Sequence, residues 1–182
     1  MINQVNINNP IGNLYRKENA LILVRQGNKY ILGVKKHFYP SGFARMIGGG
    51  INPGETPLQG AKREVYEELG YDTNDLEFIA SLKTIADTAQ GEMIMNTHMF
   101  YLEIPEGALL TVGDDITGLK YLNDREMQKL IFSMSQIKGT YFEKNGLFNF
   151  DWKDYGTIYE PIHQIAYDYA KVKNQQISEL SR

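Results

Sequence analysis

The chain has 182 residues, 42% of them hydrophobic and 23% charged, which is the composition of a globular protein of one-domain size. Its formal net charge of -3 argues against broad electrostatic capture of nucleic acid or acidic lipid. Cysteine is absent and histidine occurs three times, which excludes disulfides, thiolate metal sites and cysteine nucleophiles and leaves any metal chemistry to carboxylates.

Met1 to Pro10 is polar and Asn-rich, without the basic start and apolar middle of a signal peptide. Apolar runs such as Ala20–Val24 fall far short of the roughly 20 residues that cross a bilayer. The expectation is a cytoplasmic protein with no membrane partner. Ala20–Val24 and Tyr30–Val34 read as strands joined by a hairpin turn at Gly27–Asn28. His37–Ala44 reads as a loop carrying Phe38, Tyr39 and Phe43. Arg45–Ile47 reads as a short strand running into Gly48, Gly49 and Gly50.

The clearest helix follows. Thr56 is a good N-cap, Pro57 suits the first helical position, and Gln59 completes a capping box. Gly70 is placed as the C-terminal stop. Leu58, Ala61, Val65 and Leu69 repeat at spacings of three and four and form its core stripe. Gly60 either lets a loop or ligand approach closely or is a tolerated drift, at a cost of about 0.5–1 kcal/mol.

Beyond the helix, Leu76–Ile85 and His98–Ile104 read as strands, with Ala86–Asn96 a mostly polar loop between them. Ile116–Leu122 is a further strand, and Asp124–Phe132 a short helix capped by Asn123 or Asp124. A final helix runs from about Glu160 to Lys173, with Ile162, Ile165, Tyr169 and Val172 as its stripe. Residues 133–159 are rich in aromatics: Tyr141, Phe142, Phe148, Phe150, Trp152 and Tyr155. They serve as a lid or base pocket, as a homodimer surface, or simply as packing for the last helix, and the last of these is preferred.

The helix carries Arg63-Glu64-Val65-Tyr66-Glu67-Glu68. At about 100° per residue, Glu64, Glu67 and Glu68 fall to one side of Val65. Like charges so placed destabilise a bare helix, and a hard divalent cation reverses that penalty. Just before it, Gly48-Gly49-Gly50-Ile51-Asn52-Pro53-Gly54-Glu55 is a glycine-dense strand-to-helix connection. It brings free backbone groups to a helix start that favours phosphate.

Gly49, Glu55, Arg63, Glu64, Val65, Glu67, Glu68, Gly70 and Tyr71 together match the Nudix box at every spacing, with Tyr71 where an aliphatic residue is more usual. The sequence thus resembles the Nudix hydrolase family, most specifically from Gly49 to Tyr71 and more loosely from about Ala20 to Leu122. The resemblance implies an α/β fold, an α/β/α sandwich with a mixed β-sheet flanked by helices. It implies one domain over residues 1–182, with a polar N-terminal segment at 1–18 and a C-terminal helical extension at about 133–182. It also implies hydrolysis of a pyrophosphate bond in a nucleoside diphosphate linked to another moiety.

Carried over by residue, Glu64, Glu67 and Glu68 would hold Mg²⁺, with Mn²⁺ an alternative, and a carbonyl of Gly48 or Gly49 would add a ligand. Arg63 would orient Glu55 or Glu67. The general base would be Glu67 or Glu68 in the box, or Glu92 outside it, with Glu103, Glu106, Asp114 and Asp115 as further candidates. Phe38, Tyr39 and Phe43 would stack a base or pack under a loop. Arg25, Lys35, Lys36 and Arg45 would meet phosphates or remain solvated. The expected partner is a small nucleotide-type molecule, not a specific nucleic acid. The alternative is a Nudix-like sensor that binds such a ligand without cleaving it. An isoprenoid isomerase of this family would need a cysteine, which the chain lacks.

Overall fold

The computed structural model describes residues 1–7, 16–89, 91–142 and 149–180. Phe148 and residues 8–15 of the polar N-terminal segment lie outside the described residues.

The central strand is β2 (Glu18–Gln26), and its sequence alternates between two cores. Ala20, Ile22 and Val24 face one side and Leu21 and Leu23 the other, all of them buried. A strand apolar on both faces must lie inside a sheet with a layer on each side. It pairs antiparallel with β3 (Lys29–Val34) and with the short β4 (Ile47–Gly50). It also runs parallel to β6 (Gly91–Ile104). The seven-stranded mixed sheet has the order β1 (Ile2–Asn6), β5 (Glu77–Thr88), β6, β2, β3, β7 (Gly118–Leu122), with β4 attached to β2.

Helix α1 (Pro57–Leu69) covers one face through Ala61, Val65 and Leu69, which pack on Ile22, Ile31 and Ile47. Its ends are as its signals predict: Thr56 and Gln59 form a capping box, and Gly70 closes it in the left-handed conformation. Leu58 is the departure from the expected stripe, at 41% exposed.

The opposite face is covered by α2 (Asp124–Gln136), capped by Asn123, and by α3 (Trp152–Leu180). The last helix is much longer than expected, starting before Glu160 and running past Lys173, with Pro161 inside it. Its buried stripe is also different. Tyr155, Ile158, Ile162, Ala166 and Ala170 are buried, whereas Val172 is 55% exposed. Alanines let this helix approach the sheet closely, and a stripe sought among large apolar residues passes over them.

Two other elements differ from expectation. Ile2–Asn6 forms β1, an edge strand parallel to β5 (Glu77–Thr88). Ala86–Asn96 is no loop. The two strands continue as a twisted pair up to the register Thr88↔Gly91. Its polar residues are those of a ribbon exposed to solvent. The remaining strands are β7 (Gly118–Leu122) and the small hairpin β8 (Thr140–Phe142) with β9 (Asn149–Asp151). Among the described residues no helix is long and apolar enough to cross a membrane.

Candidate active site

Gly48 fixes the centre of the site. Its φ is 127°, and a Cβ there would lie 2.1 Å from the Ala20 carbonyl oxygen, so no other residue fits. Its N–H donates to Glu68 Oε2 at 3.0 Å, and its carbonyl accepts from Arg45 Nη2 at 2.5 Å. One backbone unit thus ties a carboxylate of α1 to a cation from the approach to β4. Gly49 faces Glu64 so closely that a Cβ would lie 2.8 Å from Glu64 Oε1.

Arg63 collects the remaining acids. Its Nε and Nη2 reach the two oxygens of Glu55 at 2.8 and 3.1 Å, a forked contact. Nη1 reaches Glu64 Oε1 and Glu67 Oε2, each at 2.8 Å, and Nη2 also donates to the Gly50 carbonyl at 2.7 Å. Both expected partners of Arg63, Glu55 and Glu67, are therefore engaged at once. Gly60 accommodates the loop that brings Glu55 in, since a Cβ there would stand 3.2 Å from Ile51 Cγ1.

Burial separates the three helix carboxylates. Glu64 is 7% and Glu68 3% exposed, whereas the Glu67 side chain is 49% exposed. Desolvation pushes the carboxyls of Glu64 and Glu68 above the usual range. Hydrogen bonds from Arg63 hold Glu55 down to about 2. Among the described residues, no group of three acidic or histidine side chains stands preassembled as a metal cage.

Glu64 and Glu68 open into a cavity of about 650 Å³, a size that suits a nucleotide. Gly48, Gly49, Gly50 and Arg63 line it, and Glu67 and Glu55 do not. Of the acids weighed outside the helix, Asp115 lines it. Glu92 lies exposed at the far end of the β5–β6 ribbon. Lys35, Arg45, Phe38 and Tyr39 also line it. Arg25 is elsewhere, bound to Asn174 and 3.5 Å from Glu103. Phe43 is buried beside Trp152 and Tyr155.

Three lining residues escape sequence reading, Arg16, Asn19 and Tyr159, while Tyr155 is among the aromatics for which a base pocket is one reading. The two tyrosines are one helical turn apart with rings stacked at 4.3 Å. A helix drawn from residue 152 would have revealed them as a pair. Arg16 and Asn19 stand at the entrance to β2, where Asn19 donates to the Arg16 carbonyl at 2.9 Å, and no local pattern marks them.

The loop-helix-loop, the mixed sheet between helices and the cavity at the glycine-rich strand β4 define the class. The NUDIX domain matches residues 15–144, and the chain belongs to that family. It is 36% identical over 69 residues to an RNA pyrophosphohydrolase of Francisella tularensis subsp. mediasiatica, covering 38% of this chain and 43% of the relative. It is 35% identical over 90 residues to the oxidized purine nucleoside triphosphate hydrolase of Danio rerio, covering 48% and 55%. The chain therefore spans about half the length of the curated relatives it matches. In fold it is similar to the E. coli dihydroneopterin triphosphate pyrophosphohydrolase, with a TM-score of 0.51 at 18% identity over 64% of this chain and 85% of the other.

Proposed function

We propose that this protein hydrolyses a pyrophosphate bond in a nucleoside diphosphate linked to another moiety, with water as nucleophile and a hard divalent cation, Mg²⁺ or Mn²⁺, at Glu64 and Glu68. The observation that carries the reading is a pair of almost fully buried helix carboxylates, set against the glycines of β4 in the wall of a nucleotide-sized cavity. Two such carboxylates suffer both desolvation and mutual repulsion, and a bound cation would offset both penalties. The donor set fits the ion, being oxygen only, without sulfur or imidazole. Glu67, more exposed and held with Glu64 by Arg63 Nη1, would serve as a third ligand. When bound, the ion neutralises the anhydride and acidifies water.

The chain's own residues do the rest. The Gly48 N–H holds Glu68, and Arg63 holds Glu55 and Glu64, so the carboxylates keep their places as substrate arrives. Gly48–Gly50 of β4, without side chains, let the substrate's phosphates approach the backbone. The proton released by the attacking water goes to a carboxylate of the same wall, Glu68 or Asp115. Because α3 supplies part of the wall, we take residues 1–182 as one functional unit. The names of the matched relatives, a nucleoside triphosphate hydrolase and an RNA pyrophosphohydrolase, support phosphoric anhydride chemistry.

The test is a screen of nucleoside triphosphates, nucleotide sugars and dinucleoside polyphosphates with Mg²⁺, run on wild type and Glu68→Gln. Glu68→Gln is expected to lose about 100-fold in kcat while melting near the wild-type temperature. Turnover that survives this change, or survives EDTA, sinks the assignment.

A further inference from the structure

The cavity wall is divided by charge. Glu64, Glu68 and Asp115 supply its carboxylates, and Arg63 among them is engaged by Glu55, Glu64, Glu67 and the Gly50 carbonyl. Three more cations line the same space: Arg16, Lys35 and Arg45. Among the described residues, none of the three has a carboxylate within 4.0 Å.

Arg45 is the most firmly placed of them. Its backbone exchanges paired hydrogen bonds with Gly33 at 2.8 and 3.0 Å. Its guanidinium spends one donor on the Gly48 carbonyl and lies 5.9 Å from the centre of the Tyr159 ring. A guanidinium has five N–H donors. The tyrosines that share this part of the wall, Tyr39, Tyr155 and Tyr159, are buried and bring ring faces and, at Tyr159, a hydroxyl that Arg45 meets, but no carboxylate. A recessed cation whose partners are a carbonyl and a hydroxyl, with no ion pair, gains when an anion joins it. Glu64 and Glu68 attract it only from beyond ion-pair range, and a cation on those two acids offsets that attraction.

We infer that Arg45, flanked by Lys35 and walled by Tyr155 and Tyr159 of α3, is an anion subsite for a substrate phosphate other than the diphosphate held at Glu64 and Glu68. The two ends are adjacent, since Gly48 bonds Glu68 through its N–H and Arg45 through its carbonyl. The subsite therefore selects nucleotides with three or more phosphoryl groups over nucleoside diphosphates joined to an uncharged sugar. The selectivity rests on the proposed hydrolysis, but the anion binding does not.

Two measurements separate these. The first is steady-state kinetics with a nucleoside triphosphate and a nucleoside diphosphate sugar. Arg45→Met is expected to raise KM for the triphosphate about tenfold or more, by loss of a charge-assisted phosphate contact, and that for the sugar nucleotide by less than about twofold. Arg45→Lys recovers part of the loss, and Lys35→Met gives a smaller rise in the same direction. Equal effects on both substrates, or none, overturn the subsite.

The second is calorimetric binding of inorganic tripolyphosphate in EDTA. Wild type and Glu68→Gln are expected to bind and Arg45→Met is not, with melting temperatures within a few degrees of one another. Binding retained by Arg45→Met, or absent from wild type, overturns the subsite. If tripolyphosphate binds through Arg45 and no nucleotide is cleaved, the subsite stands and the proposed hydrolysis falls.

Discussion

At the scale of single residues, one guanidinium organises five oxygens beside helix α1. Arg63 reaches both oxygens of Glu55, one each of Glu64 and Glu67, and the carbonyl of Gly50. Its effect is to sort the acids. Glu55, held by the fork, stays ionised down to about pH 2. Glu64 and Glu68 are pushed the other way by burial, so these are the acids that gain most from a cation. Lysine in place of Arg63 keeps the charge but has no planar fork to hold Glu55 and Glu64 together. Arg63→Lys is therefore expected to fold normally and lose about 10- to 100-fold in kcat, as removal of an orienting partner does at metal sites. Kinetics beside a thermal melt checks this. Unchanged kcat with a lowered melting temperature would make Arg63 a structural brace only.

At the scale of elements, the carboxylate helix is finished by a loop. Thr111 and Gly113 donate to the carbonyls of Leu69 and Glu68 at 2.9 and 3.1 Å, satisfying acceptors that a helix end leaves open. Gly113 lies so close that a Cβ would stand 1.8 Å from the Glu67 carbonyl oxygen. This contact carries Asp115 to the cavity. Gly113→Ala must push the loop off the helix and is expected to cost about 1–3 kcal/mol in urea denaturation. The loss in activity should exceed what the unfolded fraction explains, and wild-type stability would show that the loop does not need this contact. Such a loop is invisible to sequence reading because its meaning lies in a tertiary contact. Helix α1 was legible to the residue, since Thr56, Pro57, Gln59 and Gly70 are local signals that act on adjacent backbone. The box acids were legible for the same reason, as spacing on one helix. Glu92 was misplaced because a polar ribbon and a polar loop have the same composition, and only the β5–β6 register distinguishes them.

At the scale of the whole molecule, the cavity is built by two layers meeting across the sheet. Helix α1 brings carboxylates from one side, and α3 brings Tyr155 and Tyr159 from the other. The preferred reading of the aromatics, packing, holds for Phe150, Trp152 and Tyr155 in the core, and Tyr155 together with Tyr159 also lines the cavity. The fastening between α3 and the approach to β4 is His163, fully buried. Its Nε2 accepts from the Met46 N–H at 3.1 Å, and its Nδ1 donates to the Tyr159 carbonyl at 2.8 Å. That pair of bonds requires the neutral ring. Burial pushes its pKa down to about 4, and nearby Arg45 adds to this, outweighing the Tyr159 hydrogen bond. A histidine whose pKa is lower in the folded than in the unfolded chain contributes stability above about pH 6.5 that is lost as pH falls toward 4. By pH 5 the loss is about 2 kcal/mol. Glutamine at this position keeps an acceptor for Met46 but cannot take a charge. Urea denaturation of wild type and His163→Gln at pH 7.5 and pH 5 should show the wild type losing about 2 kcal/mol more than the variant, with acids common to both cancelling in the difference. Equal losses would mean that His163 does not govern how α3 stays seated on the sheet, and with it the tyrosine wall beside Arg45.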